Sequence, residues 1–264
     1  DYFTPPSGQS LAGYNLTAFT GEQTRDDQGT ARIDYVLNDN NRLDGFVSMS
    51  DYSDFSPAPN PFSGSLSTRK AKPTVGAEYT RIFSPTLLNN LHFGYFHNEI
   101  YSGQEQTAAT NLAGTDFGLQ NVNPESWAFA APGMGISGFQ YAGASEWQPT
   151  GATDINTQIN DQVSVTRGRQ LMKFGVDLRW LQADDLGWAV QNGTLNFNGQ
   201  YTGNPMADYL LGLPSYAHIA QRGAGNYNYG LRWGEFSFFA QDDIKLTPRL
   251  TLNAGIRYEL VQFP

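Results

Sequence analysis

The sequence predicts an all-β chain: an antiparallel meander of about eight long strands, laid out like the wall of a transmembrane β-barrel. Three observations carry that expectation. Apolar residues recur with period two in eight segments. Short polar turns near residues 40, 85, 168 and 248 join these segments in pairs. Successive turns lie 45, 83 and 80 residues apart, whereas two membrane strands of about 10 residues each use only about 20 of such an interval. Short turns at one end and long loops at the other follow, and a compact soluble domain rarely holds structureless loops beyond about 15 residues.

Composition narrows the class further. The chain has 264 residues, 39% hydrophobic, 14% aromatic and 16% charged. So many aromatics with so few charges argue against disorder and against a long helical protein. A net charge of −9 argues against a nucleic-acid partner. With no cysteine, disulfide scaffolds, thiolate metal sites and Cys nucleophiles are excluded. No apolar run approaches the roughly 18 residues of a membrane helix, and the N-terminal DYFTPPSGQS has no signal-peptide character. A membrane barrel shows no long apolar run either, because its strands alternate.

Taken in order, the first hairpin sets Ala31, Ile33, Tyr35 and Leu37 against Arg32 and Asp34. It turns at Asn38–Asn41 into 42–50, with Leu43, Val47 and Met49 in phase. The second runs 74–82 (Val75, Ala77, Tyr79 against Glu78, Thr80), turns at Ser84-Pro85-Thr86, and returns with Leu91, Phe93 and Tyr95. Proline suits the turn because it cannot donate to a ladder. The third pairs 155–166, with Ile155, Ile159, Val163 and Val165, to 171–181. In the latter Met172, Phe174, Val176, Leu178 and Trp180 oppose Lys173, Gly175, Asp177 and Arg179. The fourth joins 235–246 to 250–260 across Thr247-Pro248-Arg249. Its second strand is the cleanest: Leu250, Leu252, Ala254, Ile256, Tyr258 and Leu260 against Thr251, Asn253, Gly255, Arg257 and Glu259. In 235–246, Phe236 and Phe238 share a phase with Asp242 while Phe239 does not, which a bulge near Ala240 would repair. The membrane hairpins are thus about 31–50, 74–97, 155–181 and 235–260, with long loops about 51–73, 98–154 and 182–234. Within the last loop, 193–203 alternates as a further strand outside the bilayer. Residues 205–213 form a short helix with Pro205 in its first turn and Met206, Tyr209, Leu210 and Leu213 on one face.

The stretch FFAQDDIKLTPRLTLNAGIRYEL resembles a strand–turn–strand of TonB-dependent outer-membrane receptors, most closely the Oar-like subgroup. TARIDYVLNDNNRL, FSPTLLNNLHFGY, GRQLMKFGVDLRW and FNGQYTGNPMADYLLGLPSY are similar to further segments of those barrels, in family order. Such receptors have barrels of about 22 strands with a plugged lumen, and a TonB-contact segment. The resemblance implies that the eight strands are an incomplete part of a large transmembrane barrel, an internal piece of the wall with no plug domain present. Its partners are then outer-membrane lipid, the plug and remaining strands of the full-length chain, the TonB complex through the N-terminal region, and an unknown solute. The location implied is the outer membrane of a Gram-negative bacterium, and the function is energy-coupled uptake. A self-contained small porin-like barrel is one alternative. A soluble secreted β-protein that binds carbohydrate through loop aromatics is another.

On this reading the apolar faces meet lipid, and Arg32, Asp34, Glu78, Asp177, Arg179, Arg257 and Glu259 face the lumen. Trp127, Phe139, Tyr141 and Trp147 in the long loop are candidates to stack on a sugar or other flat ligand; packing of the loop on itself is the alternative. Trp180, Trp188, Tyr95 and Tyr101 suit an aromatic girdle. Gly133-Met134-Gly135-Ile136-Ser137-Gly138 has the G-x-G-x-x-G spacing, but Pro132 precedes it and a Gly/aromatic loop follows, where a dinucleotide site needs a strand before and a helix after. Asp39, Asn41 and Asp44 fail the EF-hand register, because Leu43 takes a ligand position. His92 and His97 are five residues apart, so one strand sends them to opposite faces. The adjacent acids Asp184-Asp185 and Asp242-Asp243 are split likewise. No nucleophile motif occurs. No enzyme activity, cofactor or metal is expected.

Overall fold

The computed structural model describes residues 21–57, 65–104, 112–120, 130–145, 148, 150–186, 192–218 and 229–264. Eight long strands make one sheet: β1 (Gln23–Asn38), β2 (Asn41–Ser56), β3 (Ser65–Ser84), β4 (Leu87–Gln104), β6 (Thr150–Arg167), β7 (Gln170–Leu186), β10 (Tyr229–Thr247) and β11 (Leu250–Val261). They pair in the order β1-β2-β3-β4-β6-β7-β10-β11, antiparallel throughout. Among the described residues β1 and β11 do not pair with each other, so both edges of the sheet are open. The small closed barrel would need that pairing.

Two-residue turns close all four hairpins where the sequence places them. At the first, the Asn38 side-chain oxygen accepts from the Asn40 backbone N–H at 3.0 Å and from the Asn41 amide at 2.7 Å. The Asn/Asp run is therefore turn chemistry, and Asp44 binds Arg42. The strands reach well past the segments of clean alternation, to 23–56, 65–104, 150–186 and 229–261. Their outer parts mix polar residues with scattered apolar ones such as Ile100, Leu231 and Trp233, which hides the period but not the ladder.

The expected bulge at Ala240 does not occur. Both neighbours of β10 keep register through it, with Ala240 opposite Phe174 and Ile256. Phe239 instead stays in phase with the polar face, and its ring lies over Gly175 directly across the ladder. The absence of a side chain at Gly175 makes room for the ring, as when an aromatic covers a strand glycine. The irregularities that do occur lie at Ser48/Ser50 with Lys72/Val75, and beside the turns.

The long connections are not featureless. Between β4 and β6 lie α1 (Leu112–Thr115) and β5 (Gly133–Ile136); between β7 and β10 lie β8 (Thr194–Phe197), α2 (Pro205–Leu210) and β9 (Tyr216–His218). β5 pairs parallel with β8, and β8 antiparallel with β9, so two loops share a three-stranded sheet. Leu112, Ala113, Ala130, Ala131, Met134, Ala142, Ala144 and Phe197 are buried. Among the described residues, every buried apolar side chain belongs to this loop unit. The expected strand over 193–203 is confined to 194–197, because Gly199 and Gly203 turn the chain at φ of 84° and 81°.

The helix α2 ends at Leu210, three residues before the expected limit, and its expected face is split: the Tyr209 ring meets buried Phe197 at 5.3 Å, but Leu210 turns outward. Leu210 is 74% exposed, while Asp208 is fully buried. The cause is local: the Asp208 carboxylate accepts from the backbone N–H groups of Tyr201 and Thr202 and from the Thr202 hydroxyl, at 3.2, 2.9 and 2.6 Å.

Gly175→Ala should destabilise the folded protein in lipid vesicles by about 1–3 kcal/mol, the usual cost of overpacking. Gly94→Ala, whose added carbon meets nothing closer than 3.9 Å, should change it by under about 0.5 kcal/mol. Urea unfolding titrations of both variants measure the difference, and Phe239→Leu added to Gly175→Ala should restore most of the loss.

Candidate functional site

Register sorts the sheet into two faces, because directly opposed residues in an antiparallel ladder share a side. One face carries Ile33, Tyr35, Leu43, Val75, Leu91, Phe93, Phe174, Phe238, Ile256 and Tyr258, all substantially exposed. It also holds two carboxylates, Asp161 between Leu91 and Val176 and Asp242 between Met172 and Ala254, which accept from the Asn89 and Gln170 side chains. The other face carries most of the charge. Following the ladder across all eight strands gives one row: Asp34, Asp44, Glu78, His92, Asn160, Asp177, Ser237 and Glu259. Like charges directly opposite one another repel, and Asp34, Asp44 and Glu78 stand on successive strands.

Arginines one step away on either side offset that repulsion. Arg32 and Arg179 flank the acid row on one side, and Arg42 and Arg257 on the other. Arg32 donates to Asp34 at 2.9 Å and Arg42 to Asp44 at 3.0 Å, while the cross pairs Arg32–Asp44 and Arg42–Asp34 lie at 4.0 and 3.8 Å. Glu78 accepts from Asn90 at 2.6 Å and has the His92 ring 3.7 Å away. On the other half of the sheet, Arg179 reaches Asp177 at 3.3 Å and Glu235 at 3.8 Å. Gln158 donates to Asp177 at 3.0 Å, and Arg257 donates to Ser237 at 2.8 Å and also binds Glu259. A cavity of about 140 Å³ opens among Asp177, Arg179, Glu235, Ser237 and Arg257. The arginines remain about half exposed, and ion pairs so exposed to solvent add little stability. The network therefore organises polarity rather than holding the sheet together.

All seven residues expected to share the polar side stand on this one face. Sequence reasoning missed Arg42, Asp44, Glu235 and Asn160, which complete the network. Asp44 was legible from its phase with Arg42 but lay in a segment more readily seen as turn chemistry. His92 and His97 face opposite ways; His97 lies with Glu99 and Lys72 on the apolar side's outer continuation. There the apolar stripe gives way to ion pairs, Lys72–Glu99 and Arg232–Asp184. Tyr95 and Trp180 stand on the same side, each next in phase to this charged zone.

Of the loop aromatics, Phe139 and Tyr141 lie in the segment that follows the turn after β5, whereas Trp127 and Trp147 lie outside the described residues, as does Trp188. Tyr141 lies across Gly133 and Gly135 with its hydroxyl donating to the Ala144 carbonyl at 3.1 Å. Of the first two glycines of the G-x-G-x-x-G run, Gly133 thus makes room for the Tyr141 ring and Gly135 for the Asn196 amide. The strand β5 leads into a turn at Ser137-Gly138, with no helix after it.

Burial pushes the Asp208 carboxyl up, but the Thr202 hydroxyl and the N–H groups of Tyr201, Thr202 and Gly199 outweigh it and hold it below the usual carboxylate range. A depressed folded-state value stabilises above the unfolded pKa, and that contribution disappears only as pH falls through the folded value. The loop unit should thus keep its structure from neutral pH down to the ordinary carboxylate range and loosen below it. Asp208→Ala should expose the Tyr201 and Thr202 amides to fast hydrogen exchange at neutral pH while the strand amides stay protected. Unchanged protection at those two amides would contradict the role of the carboxylate.

The solved structure of the outer membrane transporter YddB from Escherichia coli is similar to this chain, with a TM-score of 0.59 at 9% identity. The similarity covers 94% of this chain and 29% of that one, so the chain spans under a third of its length. At that identity it is the fold that is shared. The curated proteins offer no match. Residues 1–264 match the family described as the outer membrane beta barrel domain. An exposed apolar face backed by a charged one, on strands closed by two-residue turns, is the architecture of that family, and the chain belongs to it.

Proposed function

We propose that this chain forms one arc of the wall of a TonB-dependent transporter, with the charged face lining the interior and the loop unit outside the cell. The observation that carries the proposal is the sorting of faces: apolar residues exposed on one side, and on the other a polar row with acids on five of its eight strands, flanked by arginines. Hydrocarbon accepts the first face, while the second needs water or another polar domain against it. Two open sheet edges favour a wider wall than eight strands. The similarity to 29% of a transporter chain and the segments resembling Oar-like receptors point the same way. Strands of 12 to 20 residues exceed the roughly 9–11 that cross a bilayer. The excess lies at the long-loop end, where the outward face turns charged, and Tyr95 and Trp180 suit the girdle at that boundary. In the complete protein, a plug would fill the interior, and uptake of a solute would draw energy through TonB.

The topology is testable by cysteine labelling, since these 264 residues hold no cysteine and any elsewhere in the full-length protein is first replaced by serine. In the full-length protein, Leu211→Cys in the loop unit should react with a membrane-impermeant maleimide on intact cells. Asp39→Cys in the first tight turn should react only after the outer membrane is opened. The reverse pattern would invert the orientation, and labelling of both on intact cells would contradict the membrane reading.

A further inference from the structure

The three-stranded sheet of the loop unit presents a face that the wall does not use. Asn196 of β8 is paired directly with Tyr216 of β9, so both side chains stand on one side. On the β5 flank, the space above Gly135 is bounded by the Asn196 side-chain oxygen and the Tyr141 ring together. Tyr141, Asn196 and Tyr216 therefore form a row, with the amide between two rings. The row is held from beneath. The Tyr141 hydroxyl is tied to Ala144, the Ser215 N–H and hydroxyl both donate to the Asn196 carbonyl at 2.8 and 2.9 Å, and the Tyr216 ring meets His218 at 6.4 Å. Even so, Tyr141 and Tyr216 are 40% and 58% exposed. In phase with Asn196, the Thr194 hydroxyl is buried and has no hydrogen-bond partner.

Rigid exposed rings beside a neutral amide suit a ligand with apolar C–H faces and hydroxyl groups at its edge. Charge decides against an anion. The sequence has no Lys or Arg between Arg81 and Arg167, nor between Arg179 and Arg222. The segments that build this sheet thus offer an anionic chelate or a phosphate no cation. We propose that Tyr141, Asn196 and Tyr216 form a binding site for neutral carbohydrate, the rings stacking on sugar faces and the amide bonding hydroxyls. This rests on the proposed outward placement of the loops for its biological use, but not for the binding itself.

The test uses the full-length protein in detergent micelles, titrated calorimetrically with maltoheptaose, cellohexaose, xylohexaose, mannohexaose and laminarihexaose, and separately with a ferric tris-catecholate. At least one neutral oligosaccharide should bind. Tyr216→Ala should weaken it by about tenfold, as loss of one stacked ring implies, and Asn196→Ala should weaken it as well. Tyr201→Ala, an exposed tyrosine outside this sheet, should leave it unchanged. Folding of each variant is checked by the heat-resistant gel mobility of the barrel. Binding of none of the five oligosaccharides overturns the inference, as does equal binding by wild type and Tyr216→Ala, or binding of the ferric chelate alone. Energy-dependent uptake is measured separately in cells, so a failure of the transport reading leaves the binding result standing, and the reverse.

Discussion

Everything in the wall depends on register. Side chains alternate with period two, so a slip of one residue between any two strands would send an entire strand's apolar set to the polar side. Here the ladder runs from β1 to β11 with its irregularities beside the turns and in one place where β3 carries an extra residue against both β2 and β4. The four two-residue turns fix that register locally, and the side-chain capping at Asn38 shows how. The Phe239 ring over Gly175 is the same constraint from within the sheet: an aromatic on the polar face is accommodated by a missing side chain, not by a shift of the strand.

The acid row is a consequence of unbroken register, not an independent feature. Asp34, Asp44 and Glu78 oppose one another only because three strands keep phase. Arginines placed two residues along the strand neutralise the row without burying a charge pair, which would carry a heavy desolvation cost. The outcome is a face that is polar yet locally balanced, and that tolerates water or a polar neighbour. The same logic explains where the stripe ends. At the outer end of the strands, Lys72, Glu99, Asp184 and Arg232 occupy the phase that holds Phe93, Val75 and Leu178 nearer the turns.

Much of this was legible in the residues. Alternation in 250–260 and 171–181 identified strands and faces, and Asn, Pro and Gly identified the turns, because both signals are local. Three things were hidden. The outer strand halves were, since polar residues mixed with scattered Ile100, Leu231 and Trp233 leave no period to see. The loop sheet was, since β5 and β8 join Gly133 to Thr194, far apart in sequence and in parallel, and no local pattern announces such a pairing. The inward side of α2 was, since an amphipathic count favours Leu210 over Asp208, whereas four hydrogen-bond donors in the preceding turn decide otherwise. Tyr216 and Asn196 escaped notice for the same reason as the loop sheet: only the ladder brings them beside Tyr141.

The central claim is that the apolar face meets hydrocarbon. Its most direct test compares two lysine substitutions on one strand of the complete barrel, measured by reversible unfolding from liposomes. Ile256 is 73% exposed on the apolar face, and Asn253 stands on the polar one. A lysine facing lipid near the midplane costs about 2–4 kcal/mol, and polar-side positions tolerate charge. Ile256→Lys should therefore lose stability in that range and Asn253→Lys only slightly. Equal small losses, or a larger loss at Asn253, would contradict the account.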